Sequence, residues 1–404
     1  MEIGFINFNH EALARANKVM KLLQGQGAID ELGLGRIRDA FSNTMFPGLS
    51  TLQTHAKYFL LMPALYSHLE HSNITDPRDA REKVRKYEIA LTRRLFKGSP
   101  EGTKGIIGAE SLDTREGYVK YDPAYIYQAG METFGLVKSA GNIFRLLAER
   151  ATANGNTPRR QSGTAESGDD AGETSGNKQI FMTCGEDYDF REKSELRMSL
   201  SHKEASFLRR QIIAAVPDTM LGMLLDSDLY KTACELRFED LDGFFTDNIP
   251  DRYYETYILA RRFSRFAQLL RTRYAMLFDL AVGANRAEDE RQSFFSQLET
   301  NSAEFTPEAI GEIISFVSPI VSEGSCKRFC LNASALIAEK DWEKLDKLIE
   351  NREIEIKTLK RSKLRNAREF EPGKPFESPK PMSFRWDTIV CTVLKEIREG
   401  LDHE

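Results

Sequence analysis

Basic side chains are concentrated in three segments of the chain. Residues 357–368 hold six basic residues and no acid, residues 78–97 hold eight basic and three acidic residues, and residues 252–273 hold six arginines and one glutamate. Lysine and arginine neutralise backbone phosphates and release their counterions, so such segments are typical of nucleic-acid contacts. The alternative is that each segment is an ordinary exposed helix face whose charge is balanced by acidic neighbours in space.

The charge is unevenly divided along the chain. The three segments carry +6, +5 and +5, so the remainder carries about -21 within a net charge of -5. We therefore predict that cations from distant parts of the chain converge on one surface that contacts DNA or an acidic partner such as a helicase or nuclease. The candidate contact residues are Lys357, Lys360, Arg361, Lys363, Arg365, Arg368, Arg261, Arg265, Arg36 and Lys57.

Signatures of catalysis are weak. The phosphate-loop pattern and the dinucleotide-binding glycine pattern are both absent, so no cofactor is predicted. Glu355 and Lys357 have the Glu-x-Lys spacing of some metal-dependent nucleases, and the acidic clusters at 186–189 and 239–242 could bind Mg²⁺ or simply face solvent. Cys326 and Cys330 lack the further ligands of a zinc site, and we interpret them as small buried residues, so no metal is predicted.

The elements that position these residues are predicted to be mainly helical. From Arg252 to Ala281 apolar residues recur every three or four positions, and residues 386–401 show a similar single apolar face. These patterns predict a multi-helical C-terminal part. Residues 104–150 combine a short apolar step with a helical pattern, which favours a small α+β unit of winged-helix type.

Residues 151–178 mark a predicted domain boundary. The segment has no leucine, isoleucine, valine, methionine or aromatic residue, so it cannot bury enough apolar area to offset the entropy of ordering. We predict an N-terminal domain over 1–150, a flexible linker over 151–178 and a C-terminal domain over 179–404, although the segment could also interrupt one domain.

Localisation follows from what the sequence lacks. The longest apolar run covers nine residues, from Tyr58 to Tyr66, whereas a membrane span needs about 20. No secretory signal is visible, and the five scattered cysteines suit reduced thiols. A cytoplasmic protein with no membrane partner is therefore predicted.

A resemblance rests on one dense stretch of residues. Residues 30–42 read DELGLGRIRDAFS, residues 46–54 read FPGLSTLQT, and Lys57 to Leu60 with Pro63 follow. This stretch resembles the opening of an uncharacterised bacterial family that is known only as a domain of unknown function. Members of that family often lie in phage-defence islands near helicases and phospholipase-D-like nucleases, so the resemblance implies a defence context and no catalytic residues.

The same stretch leaves two roles open for its charged residues. Arg38 and Asp39 are predicted to form a structural ion pair that fixes the turn after them, and the alternative is that Arg36, Arg38 and Lys57 face outward as phosphate contacts. Together the patterns and the resemblance predict a non-enzymatic component of a bacterial antiviral defence system. A divergent metal-dependent nuclease and a pure protein–protein scaffold are the alternatives.

Overall fold

The protein is mainly helical, as predicted. A computed structural model describes residues 30–112, 118–138, 141–155, 179–190 and 196–402. These residues form fifteen α-helices and no β-strand. The helices are α1 Gly35–Met45, α2 Tyr58–Leu69, α3 Pro77–Gly98, α4 Pro123–Thr133, α5 Ile143–Gly155, α6 His202–Ala215, α7 Met220–Asp226, α8 Tyr230–Ala233, α9 Asp242–Asn248, α10 Asp251–Val282, α11 Ala287–Asn301, α12 Pro307–Val317, α13 Gly324–Glu339, α14 Trp342–Lys357 and α15 Cys391–Asp402.

The contacts divide the chain into two compact units, each drawn from two stretches of sequence. The first unit takes its described residues from Met1–Phe46 and Leu236–Asp387, and the second from Pro47–Glu235 and Thr388–Glu404. The predicted division at 151–178 is a different partition. Residues 151–155 of that segment belong to α5, and its remainder lies outside the described residues, so the linker stays a prediction.

The long helix α10 organises the first unit. Its 32 residues contain the predicted apolar stripe, and Phe263, Phe266, Leu270 and Tyr274 are buried. Helices α1, α11, α12 and α14 pack against it. The helix ends at Gly283, whose φ of 69° is the left-handed conformation that glycine adopts without a Cβ clash.

In the second unit α2 packs on α4, α3 on α5, and α6 on both α7 and α15. Helix α2 is apolar on all sides, and ten of its twelve residues are buried. The terminal helix α15 is shorter than the 386–401 pattern predicted. Thr388 has non-helical angles, so the segment from Trp386 to Val390 is irregular.

The predicted winged-helix-like unit near residues 104–150 is wrong, because no strand is found in the described part of this region. Gly105 and Gly108 have φ values of 80° and 84°, so the apolar step turns instead of extending. Its backbone groups pair with side chains: Thr54 Oγ1 donates to the Gly105 carbonyl at 2.7 Å, and the Ile107 N–H donates to Tyr58 Oη at 2.9 Å. The sole ladder-like contact described there is an isolated bridge at Val137.

Candidate nucleic-acid interface

Lys57 is buried and is therefore no surface cation. It is 5% exposed, and its Nζ lies 2.6 Å from both carboxylate oxygens of Glu204. Tyr188 donates its hydroxyl to Glu204 Oε1 at 2.7 Å, and the N–H of Ser201 donates to Oε2 at 2.8 Å. The four partners satisfy one another, so Lys57 belongs to a structural network.

Four arginines of α10 pair with carboxylates within the first unit, and two of these four are predicted contact residues. Arg261 lies 2.6 Å from Asp242, and Arg265 lies 2.8 Å from Glu304 and 3.5 Å from Glu239. These pairs reduce the positive charge that the arginines of 252–273 present to solvent. They also occupy carboxylates of the 239–242 cluster that the sequence offered for Mg²⁺.

Helix α1 carries two further ion pairs. Arg38 and Asp39 are 3.0 Å apart, which is the structural pair predicted from the sequence. Arg36 lies 2.7 Å from Glu323 and keeps half of its side chain exposed. A half-exposed ion pair of this kind contributes at most about 1 kcal/mol to stability.

The segment 357–368, here called the basic loop, is built around a buried carboxylate. Glu353 is fully buried and accepts from Tyr274 Oη at 2.6 Å, Ser362 Oγ at 2.7 Å, and the N–H groups of Lys363 at 2.9 Å and Leu364 at 3.1 Å. Burial alone would raise the pKa of Glu353, but these donors favour the charged form and lower it. The loop is therefore held in one conformation.

The six basic residues of the basic loop divide into two groups. Lys357 is buried between Glu353 and Glu31, Lys363 also pairs with Glu31, and Arg365 pairs with Glu350 at 2.7 Å. The other three are exposed and have no ion pair with any described residue: Lys360, Arg361 and Arg368. Leu359 beside them is 63% exposed. Half of the predicted cations in this segment thus face solvent without an ion pair in the described residues.

Helix α3 carries a second exposed basic surface. Asp76 caps its first turn by accepting from the N–H groups of Arg78 at 2.7 Å and Asp79 at 3.0 Å, and Pro77 supplies the favoured first residue. Val84, Leu91 and Leu95 bury the inner face. With 3.6 residues per turn, the opposite side forms a band about 120° wide. We call it the α3 outer face, and it comprises Arg78, Glu82, Arg85, Lys86, Ile89, Arg93, Phe96 and Lys97.

The α3 outer face carries more basic than acidic residues. It carries five basic residues and one acid, Glu82, which pairs with Arg78 at 3.3 Å. Lys86 and Arg93 form no ion pair with any described residue. Together with Arg85, Ile89 and the carboxylate Glu82 they line a shallow, open surface depression of about 420 Å³. Phosphates could approach these cations without displacing an existing partner.

A buried acid lies on the inner side of the same helix. Glu88 is 1% exposed; its Oε1 accepts from the Ala124 N–H at 2.7 Å, and its Oε2 has no partner among the described residues. Burial, reinforced by the negative charge of Asp122, raises the pKa of Glu88 well above its ordinary value. The shift favours the neutral carboxyl, which offsets little of the positive charge on the outer face.

The residues that the sequence offered for metal binding either pair with other side chains or do not come together into a cluster in the described part of the chain. Glu355 pairs with Arg352 at 2.7 Å, and Cys326 and Cys330 are both buried, as predicted. Within the described ranges, no group of three or more histidine, cysteine, aspartate or glutamate side chains could hold a metal ion. In the same residues, none of the helices is both long and apolar enough to cross a membrane.

Several important residues were not predicted from the sequence. Glu353, Glu31 and Glu204 each neutralise a predicted contact lysine. Glu353 and Lys357 are four residues apart on a helix, which is a recognisable pairing signal. Glu31 and Glu204 lie far from their partners along the chain, so no local pattern indicates them. On α3, the exposed basic residues follow from the helical period once the apolar face is assigned.

Comparison with known proteins gives one match. Residues 1–151 match a family of unknown function, DUF6361. This agrees with the resemblance to a domain of unknown function. The bacterial origin and the phage-defence context stay predictions. No curated protein matches the chain, and no solved structure matches it.

Proposed function

We propose that this protein is a non-enzymatic component that contacts nucleic acid through the α3 outer face. The observation that carries the proposal is that Arg85, Lys86 and Arg93 line one shallow, open depression with a single acid, Glu82, and that Lys86 and Arg93 have no ion pair in the described residues. Exposed cations in one row can replace the counterions of consecutive phosphates. The placement of this activity in a bacterial antiviral defence system rests on the resemblance.

The test is binding of fluorescently labelled DNA by the purified full chain at low salt. We expect R85Q/K86Q/R93Q to weaken binding by at least tenfold, because three phosphate contacts are removed. The control is R145Q/R291Q/K344Q, which removes the same charge at three exposed cations away from α3 that already pair with Glu149, Glu288 and Asp341. Loss of affinity in both triple variants, or no binding by the wild type, would contradict the proposal.

A second candidate function is docking of a partner protein through the basic loop. Leu359, Lys360 and Arg361 are exposed on a loop that Glu353 holds in one conformation, so binding would cost little ordering entropy. A helicase or nuclease of the same system with an acidic and apolar patch would fit this loop. The test is co-purification of such partners, after nuclease treatment, with the wild type and with L359E/K360E. Equal recovery with both would exclude this role of the loop.

A further inference from the structure

The α3 outer face carries one large exposed aromatic side chain. Phe96 is 62% exposed, while most aromatic side chains of the described chain are buried in one of the two units. An exposed phenylalanine loses the free energy that burial would provide, about 1.5–3 kcal/mol. Its ring makes no aromatic or cation–π contact with any described residue. Its ring faces are available to a ligand.

Phe96 belongs to the same row as the exposed cations. It lies three residues after Arg93 and one before Lys97, and Ile89 lies two turns earlier on the same side. At 1.5 Å per residue, the row from Arg85 to Lys97 is about 18 Å long. The row thus alternates positive and apolar groups over the length of a few nucleotides.

This alternation distinguishes between classes of ligand. A duplex offers phosphates, but its base faces are stacked on one another and are closed to a surface phenylalanine. A single strand exposes both phosphates and base faces, and proteins that bind single strands combine cations with aromatic stacking platforms. An anionic lipid surface would require a continuous apolar stripe, whereas the α3 outer face has two large apolar residues among eight.

We infer that the α3 outer face binds single-stranded nucleic acid, with a base stacked on Phe96 and phosphates at Arg85, Lys86 and Arg93. This inference rests on the proposed function and specifies its ligand. Stacking of this kind does not read sequence, because every base has a π face. The expected ligand is therefore any unpaired strand, with modest preferences among bases.

The experiment measures fluorescence anisotropy of a labelled oligothymidine and of a duplex of equal length with the full chain. We expect tighter binding of the single strand. F96A should weaken that binding by about 5- to 150-fold, which corresponds to the loss of one stacked base, and should leave duplex binding unchanged. F96W should restore the affinity, and its fluorescence should be quenched when the single strand binds.

The controls separate the explanations. F295A removes a partly exposed phenylalanine of α11 and should not change single-strand binding. If R85Q/K86Q/R93Q weakens binding while F96A does not, the stacking inference fails and the proposed function stands. If the wild type binds neither nucleic acid, both fail. Binding to vesicles of phosphatidylserine and phosphatidylcholine that depends on Phe96, without single-strand binding, would assign the face to membranes instead.

Discussion

The Lys57–Glu204 pair shows what burial does to a basic residue. The side chains are 6% and 3% exposed, and all close partners of the carboxylate are donors. Removing one member of a buried pair leaves the other charge without compensation, which is costly. The two charges therefore depend on each other, and the pair is closed to external phosphates.

We predict that K57M lowers the free energy of unfolding by about 3–5 kcal/mol, because Glu204 remains buried without its cation. Urea denaturation followed by circular dichroism measures the change. The control R145M breaks the exposed pair with Glu149, and its effect should stay below about 1 kcal/mol. Equal stability of K57M and wild type would show that the network does not depend on the charge pair.

Glu88 makes the stability of the protein depend on pH, and the sign of this dependence is opposite to that of a paired carboxylate. Its pKa is raised in the folded protein, so the native state retains the proton to higher pH than the unfolded chain. The resulting stabilisation is complete below the ordinary glutamate pKa, about 4.3, and is lost as the pH rises through the raised value.

We expect E88Q to be more stable than wild type at pH 8 and to show no such advantage below about pH 4. Glutamine keeps an oxygen that can accept from the Ala124 N–H, but it never becomes charged. Urea denaturation over a pH series measures the difference. E82Q, at an exposed site on the same helix, should show no comparable trend. If E88Q is more stable than wild type by the same amount at every pH, the raised pKa of Glu88 is contradicted.

At the scale of elements, close approach of backbones decides where helices pack. Gly130 of α4 lies against the turn that follows α1: a Cβ at this position would clash with the Gly48 carbonyl and would lie 2.7 Å from the Phe59 ring. A carbonyl of the main chain cannot rotate away as a flexible side chain can. The packing of α4 on α2 therefore requires glycine at position 130.

We predict that G130A lowers the free energy of unfolding by about 1–3 kcal/mol, because the added methyl forces α4 away from its neighbours. G311A is the matched control: Gly311 lies inside α12 and would meet no atom within 4 Å. That variant should gain about 0.5–1 kcal/mol from helix propensity. Thermal unfolding of the two variants and the wild type measures these changes. A G130A variant more stable than wild type would show that α4 does not approach the Gly48 carbonyl closely.

At the scale of the whole molecule, ion pairing within each unit reduces the charge asymmetry of the sequence. Of the ten predicted contact residues, Lys360, Arg361 and Arg368 are exposed without an ion pair in the described residues, and the other seven each have an acidic partner. A further set of exposed cations without an ion pair in the described residues lies on α3: Arg85, Lys86 and Arg93. A protein of net charge -5 can therefore bind an anion locally while repelling it elsewhere.

The salt dependence of nucleic-acid binding should report how few phosphates the α3 outer face contacts. Three phosphate contacts on a single strand predict a slope of about -2 for log K against log salt, or about a 20-fold loss between 50 and 200 mM. R93Q should make the slope shallower by about 0.7. Anisotropy titrations over a salt series measure it, with R291Q as the control. A slope near zero would exclude phosphate contacts, and a much steeper one would require cations beyond α3.

The amino-acid sequence by itself determined the helical class, the bounds of α10 and the basic character of α3. These properties depend on local periodicity, since one apolar stripe both forms a helix and selects its buried face. The exposed face of α3 follows from the same pattern.

Only the tertiary structure decided which cations are free. Glu204 lies 147 positions from Lys57, and Glu31 lies 326 positions from Lys357, so folding brings together charges that no local pattern relates. The turn at Gly105 and Gly108 was also decided by tertiary partners: the side chains of Thr54 and Tyr58 bind backbone groups that a strand would have paired. Charge can be counted along a chain, but its neutralisation depends on distance in space.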